Sequence, residues 1–385
     1  MGDTQRADQP SSPDQRMAVT FLAPLPPPVT GQSQCDAAVL EHLTGRHTVE
    51  VLLTSKGELR QGAGSLAQLP TTVRQIRRIL RAARQLRKST GDVIYHSPSQ
   101  TRIGNLKDLL LLAALGSRRS RVVFHLHGGG FGRTLVRDPP TRWLNRRLVG
   151  SIGAAIVLGP RLRHQVSDIL PPGRVRVVAN FADDELFCDP DDGGMNLDRE
   201  PVEVLFLSSL FASKGWPSIV EAADILHRRG DERFRFVISG GAPTPEDGEA
   251  VAAAGQRLPN VEIAGHVEGA DRVALLARAA VVAVPTTYPW EGQPMAILEA
   301  YAAGAVVLAT DHAGIGDVFT SGENGYELPE PDGTSIVAAL DRVVSDPKVA
   351  VAMARHNRAE AEKYRREQFV TNVEQILAGV ANRAG

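Results

Sequence analysis

Short apolar runs alternate with longer helix-like runs along almost the whole chain, and no other feature restricts its fold as much. In the first half the short runs are Ala18 to Ala23, His47 to Thr54, Asp92 to His96, Arg121 to His125, Ala154 to Leu158 and Val175 to Val178. In the second half they are Val202 to Ser208, Phe234 to Ser239, Val261 to Ala264, Val281 to Val284, Ala305 to Ala309 and Asn324 to Leu328. Helical patterns lie between them, among them Gln34 to Leu43, Thr72 to Lys88, Asn105 to Leu115, Arg161 to Ile169, Pro217 to Arg229 and Asp271 to Ala280. Strand–helix alternation of this kind predicts an α/β protein with parallel, doubly wound sheets. A chain of 385 residues is too long for one ordinary core. The pattern breaks once, at the acidic, glycine-containing stretch Asp183 to Glu200. The expected organisation is therefore a polar tail at 1–16, a first doubly wound domain at 17–182, a linker at 183–200, a second domain at 201–365 and a C-terminal helix at 366–385 packing back on the first.

Composition narrows the function. The two cysteines, Cys35 and Cys188, lie in no C-x-x-C pair, which argues against a zinc site or a disulfide scaffold and makes a reducing cytoplasm the simplest setting. The first residues, MGDTQRADQPSSPDQR, are polar and contain no apolar segment of the kind a signal peptide needs. The apolar run from Leu106 to Leu115 is too short to span a bilayer. Net charge is −1, yet no acidic residue falls between Glu58 and Asp92, where Arg60, Arg74, Arg77, Arg78, Arg81, Arg84, Arg87 and Lys88 lie. The helix Thr72 to Lys88 is thus amphipathic and strongly basic, either a solvated face or a surface for anionic lipid at the inner face of a membrane. Nothing in the sequence points to nucleic acid.

The residues with most chemical content cluster at strand ends. Val281 to Val284 runs into a loop with Pro285, Pro289, Trp290 and Glu291, and then into a helix from Met295 to Ala303 opened by Pro294, with Glu299 inside it. The start of such a helix attracts phosphate through its free N–H groups and dipole. The two carboxylates would repel phosphate, so they belong beside sugar hydroxyls, and a nucleotide sugar carries both kinds of group. Lys214, after the strand Val202 to Ser208 and before Gly215, can reach a diphosphate and offset the charge that grows on it as its bond to the sugar breaks. Gly31, in PLPPPVTGQSQ, sits at another strand–helix junction and is either a ligand loop or a plain turn. His127 stands at a strand's C-terminal end beside Gly128, Gly129 and Gly130, where open α/β sheets bind ligands; His125, inside the strand, reads as structural.

Taken together, these motifs resemble the retaining glycosyltransferases of family 4, which have the GT-B fold. EGQPMAILEAYAAGAVVLAT matches that family's E-x7-E motif and following strand, Lys214-Gly215 its phosphate-binding pair, and PPPVTGQS its N-terminal glycine loop. The resemblance covers most of Met17 to Arg366. It implies two Rossmann-like domains facing each other across a cleft, no cofactor and no metal. It also implies a nucleoside diphosphate sugar as donor and a glycan or lipid-linked acceptor in cell-surface polysaccharide or glycoconjugate synthesis. Lys214, Glu291 and His127 would be catalytic. Gly31, Ser209, Lys214, Gly292, Gln293, Pro294, Met295 and Glu299 would bind the donor, with Glu299 at the ribose. No D-x-D, H-E-x-x-H or P-loop pattern is present, and GGGFG is not G-x-G-x-x-G.

One departure stands out. The family pattern G-R-L-x-x-x-K-G reads here Ser208-Ser209-Leu210-Phe211-Ala212-Ser213-Lys214-Gly215, so Ser209 replaces the arginine. Either another base such as Arg133 supplies that charge, or turnover is slower, or the chain is a degenerate member that binds nucleotide sugars without transferring them. A nucleotide-sugar epimerase on the same fold is a further alternative.

Overall fold

The structure is a computed structural model that describes residues 16–52, 69–133, 139–187 and 195–384. Residues 1–15 of the expected tail, and residues 188–194 of the linker with Cys188, lie outside the described residues.

Ala18–Leu22 (β1), Thr48–Val51 (β2), Val93–His96 (β3), Val122–Leu126 (β4), Ala154–Val157 (β5) and Val175–Val177 (β6) form one parallel sheet in the order β2-β1-β3-β4-β5-β6. Val202–Leu207 (β7), Phe234–Ser239 (β8), Val261–Gly265 (β9), Val281–Val284 (β10), Val306–Ala309 (β11) and Gly325–Glu327 (β12) form the second, also parallel, in the order β12-β11-β10-β7-β8-β9. Central strands such as β4, β5 and β11 are buried along their whole length, as sheets covered by helices on both faces require. Strand order reverses between β1 and β3 in one sheet and between β7 and β10 in the other. Open sheets take their ligands outside the carboxyl ends of such strands, and β1, β7 and β10 lead to Gly31, Lys214 and Glu291 respectively.

Local chemistry explains where the helices differ from the sequence reading. The first begins at Gly31 rather than Gln34, because Thr30 and Ser33 form a capping box that satisfies its free N–H groups. In the second domain Pro294 caps the helix Met295–Ala302 from outside instead of opening it. The expected helix Arg161 to Ile169 is a 3-10 helix, Pro160–Gln165, followed by turns. Its start has no side-chain cap, and the Arg161 N–H donates to the Asp317 carboxylate of the other domain, so the segment is shaped by what it meets across the molecule. The helices Pro139–Leu148 and Pro245–Arg257 have no counterpart in the sequence reading.

The last helix, Arg366–Ala384, leaves the second sheet and lies against Gly31–Arg46 and strands β3 and β4. Phe369, Val373, Leu377 and Val380 are at most 2 % exposed there, each worth about 1.5–3 kcal/mol of burial. The chain therefore crosses between domains twice, and the crossings run side by side: the Ala182 N–H donates to the Tyr364 carbonyl at 3.0 Å, and Ala182 pairs with Arg365 in a parallel bridge. Arg365 also covers the Phe187 ring at 3.5 Å.

Candidate functional site

Lys214 closes the short turn Ala212–Lys214 after β7. Gly215 follows with φ 99°, and a Cβ there would lie 2.4 Å from the Pro285 carbonyl oxygen. Only glycine fits both the left-handed backbone and the close approach, so the sequence pair Lys-Gly fixes the direction of the lysine. Lys214 Nζ donates to both carboxylate oxygens of Glu291, at 3.0 and 2.8 Å, and lies 4.7 Å from the centre of the Tyr288 ring. The Thr286 hydroxyl donates to Glu291 Oε2 at 2.9 Å. Glu291 is 6 % exposed, and a carboxylate so buried needs this cation and hydroxyl. Burial, with the Glu291 charge behind it, raises the Tyr288 phenol, which stays protonated.

The Glu291 loop is held by the segment after β11. The Thr310 hydroxyl donates to the Thr286 carbonyl at 2.7 Å, His312 Nε2 meets the Tyr288 carbonyl at 2.8 Å, and the Gly314 N–H donates to the Gly292 carbonyl at 3.0 Å. Between them Ala313 has φ 50°, a strained backbone for a residue with a Cβ and one that concentrates at functional sites.

Glu299 is fully buried in the helix Met295–Ala302. Its Oε1 accepts from Arg272, whose other guanidinium nitrogen donates to Asp183 at 2.9 Å. Oε2 is buried without a partner. Burial raises the Glu299 carboxyl even against the pull of Arg272. For Arg272, burial works against its charge, but Glu299 and Asp183 outweigh it and raise its pKa. An unpartnered buried carboxylate oxygen carries a standing cost and is free to accept a hydroxyl.

On the N-terminal side, Asp36, in the second turn of Gly31–Arg46, accepts from the Tyr95 hydroxyl at 2.6 Å and from His127 Nε2 at 3.2 Å. Since the Tyr95 proton goes to Asp36, His125 Nδ1 must donate to the Tyr95 oxygen, 2.8 Å away. Burial first, then His127, lowers His125 so that it is neutral, and burial with Asp36 raises Tyr95. Among the described residues Asp36, His125 and His127 are grouped closely enough to face a metal ion, their ligand atoms within 4.8 Å of one another; Asp36 bonds His127 directly and His125 through Tyr95, while Asp36 Oδ2, His125 Nε2 and His127 Nδ1 are buried without a partner. Burial, followed by the charges of Asp36, Glu299 and Asp183, raises the Cys35 thiol and so favours its protonated form.

The two halves meet at this point. The Gly129 N–H donates to the Trp290 carbonyl at 3.1 Å, and a Cβ on Gly129 would lie 2.1 Å from the Glu291 carbonyl oxygen, one on Gly292 2.3 Å from that of His127. The glycine cluster after β4 is thus where the domains touch. Gly31 faces Met295 Sδ, 3.6 Å from where its Cβ would stand, so the N-termini of Gly31–Arg46 and Met295–Ala302 approach each other from opposite domains. Gln293 and Met295 spend their side chains on this contact. Gln293 accepts from the Asn180 N–H at 2.7 Å and donates to the Leu158 carbonyl at 3.0 Å, while Met295 enters the N-terminal core and meets Cys35. Ser209 is exposed, as is Arg133. Arg272, Asp36, Thr286 and Tyr288 were not among the residues singled out from the sequence.

Residues 191–360 match the family model described as glycosyl transferases group 1. An alpha-D-kanosaminyltransferase from Streptomyces kanamyceticus is 28 % identical over 229 residues, 57 % of this chain and 58 % of that protein. An alpha-maltose-1-phosphate synthase from Mycolicibacterium smegmatis is 28 % identical over 231 residues, 53 % of this chain and 57 % of that protein. The chain thus spans less than two thirds of the length of these relatives. Anabaena HepE in complex with UDP superposes with a TM-score of 0.70 at 15 % identity, covering 94 % of this chain and 100 % of that one. Sucrose-phosphate synthase from Thermosynechococcus elongatus gives 0.69 at 16 % identity, covering 96 % and 100 %. The chain has the GT-B fold of these glycosyltransferases, and its C-terminal domain is the part that matches glycosyl transferases group 1.

Proposed function

We propose that the protein transfers a sugar from a nucleoside diphosphate sugar to a glycan or lipid-linked acceptor, with retention at the anomeric carbon and without a metal. The observation that carries this reading is the convergence at one place of two helix N-termini, those at Gly31 and Met295, with Lys214 and the carboxylates Glu291 and Glu299. The N-termini and Lys214 suit a diphosphate. The unpartnered oxygen of Glu299 suits a ribose hydroxyl, and Glu291 the sugar. In a front-face displacement the bond from the anomeric carbon to the diphosphate oxygen breaks, the acceptor oxygen bonds on the same face, and the acceptor's proton passes to the departing diphosphate. The protein's share is then to position the reactants and to stabilise the charge on that leaving group. The names of the kanosaminyltransferase and the maltose-1-phosphate synthase support sugar transfer. Because Lys214 is already bonded to Glu291, donor binding requires the lysine to exchange part of that pairing for phosphate.

A test is to offer UDP-, GDP- and ADP-sugars with and without acceptor and to determine the anomeric configuration of the product by NMR. Transfer with retention is expected for one donor class, and inversion would overturn the mechanism. Ser209, exposed where the family pattern has arginine, favours one other reading: binding without transfer would make the chain a degenerate nucleotide-sugar-binding protein. A changed sugar released in the absence of acceptor would identify an epimerase.

A further inference from the structure

We infer that the outer helical layer of the N-terminal domain docks on an anionic lipid bilayer. Right-handed crossovers place Leu69–Lys88, Arg102–Leu115 and Pro139–Leu148 together on one face of the first sheet, opposite Gly31–Arg46 and Arg366–Ala384. Arg102–Leu115 touches both of the others and lies between them. Its outward face is apolar: Ile103, Leu106 and Leu110, at helical spacing, are 83, 49 and 58 % exposed. Ile76 and Leu80 on one flank are 51 and 49 % exposed, Trp143 and Leu144 on the other 67 and 36 %. These seven are the majority of the eleven large apolar side chains exposed among the described residues, so the exposure is concentrated here rather than scattered.

Charge decides what covers it. Arg77, Arg81, Arg84, Arg87 and Lys88 on the first helix, Arg102 on the second and Arg142, Arg146 and Arg147 on the third are all exposed. The sole carboxylate in these three helices, Asp108, is buried and held by His96, Lys107 and the Ser99 N–H. An apolar stripe ringed by cations with no exposed anion fits lipid headgroups of negative charge, with the arginines at the phosphates and the apolar side chains at the acyl boundary. Arg147 lies 5.9 Å from the centre of the Trp143 ring, joining an interfacial aromatic to a headgroup-binding cation. No described helix is long and apolar enough to cross a membrane, so the layer lies on the bilayer. The surface deepens the proposed function by favouring a lipid-linked acceptor, but it rests on residues outside the cleft.

The experiment is co-sedimentation of the full chain with vesicles of phosphatidylcholine alone or mixed with phosphatidylglycerol, which needs neither donor nor turnover. Binding to the mixed vesicles is expected to be at least about tenfold tighter, and to weaken as salt shortens the range of the charges. Ile103→Ser, Leu106→Ser and Leu110→Ser together, or Arg81→Gln with Arg84→Gln, should each reduce it at least about fivefold with thermal unfolding unchanged. No vesicle binding, equal binding to both vesicle types, or full binding by either variant overturns the proposal. A dimer in light scattering that the triple variant abolishes, with no vesicle binding, would instead assign the face to a second copy of the chain.

Discussion

Lys214 reaches Glu291 from a turn seventy-seven residues away, and its loss would leave a buried carboxylate with only Thr286 as partner. Lys214→Ala should lower turnover by about 10²–10³-fold while changing donor affinity much less, as steady-state kinetics beside nucleotide titration can show; unchanged turnover would remove the lysine from the mechanism. Arg272→Ala leaves Glu299 buried with no cation, a change expected to cost about 3–5 kcal/mol. Urea unfolding would measure it, and adding Glu299→Gln should recover part of the loss. Lys214, Glu291 and Glu299 were legible in the sequence because their setting is local: a glycine that must turn left-handed, a loop, a helix start. Arg272 and Asp36 were not, because nothing in the sequence around them points to the buried groups they bond, Glu299 for one and Tyr95 with His127 for the other. Gln293 and Met295 show the reverse limit, since a motif reveals that a residue sits at the helix start but not which domain its side chain joins.

The elements that meet at the site are loops and helix starts rather than strands, and the run Gly128 to Gly130 is the tightest of them. Gly129→Ala would put a Cβ into the Glu291 carbonyl, which neither backbone can avoid without moving apart. The expected result is at least about tenfold lower turnover, since small misplacements of reacting groups are costly. Urea unfolding within about 1 kcal/mol of wild type is expected alongside it, the strands being untouched. Full activity would show that the contact is dispensable. The central strands were readable because buried parallel strands are apolar along their length. Pro160–Gln165 was misread as a regular helix because its conformation answers to Asp317 and Gln165's bond with the Phe131 N–H, neither of which is encoded in spacing.

For the whole molecule, the last helix makes the N-terminal domain discontinuous. A chain ending before Arg366 would expose the bed of Phe369, Val373, Leu377 and Val380, and is expected to be insoluble or to bind hydrophobic dye. One electrostatic tie is Glu374, which accepts from His42 and His47 at 2.7 and 2.8 Å. Burial pushes the Glu374 carboxyl up, but the bonds from the two histidines outweigh it, so the folded value is lowered. A lowered folded value gives stability that is present above the unfolded one, about pH 4.3, and is lost as pH falls through the folded value. Wild type should therefore lose more stability than Glu374→Gln as pH falls through that range, measured by urea unfolding; parallel losses would remove Glu374 from the acid response.

The paired crossings at Ala182 and Arg365 have a mechanical consequence. One connecting segment would let the domains twist and slide in any direction, whereas two segments tied by the bond and bridge at Ala182 oppose sliding more than bending about their common line. If the halves part by such bending, Gly129 and Trp290, bonded across the two domains at 3.1 Å, are among the residues that separate. The bond between those two residues would then have to release, along with the one from the Arg161 N–H to Asp317.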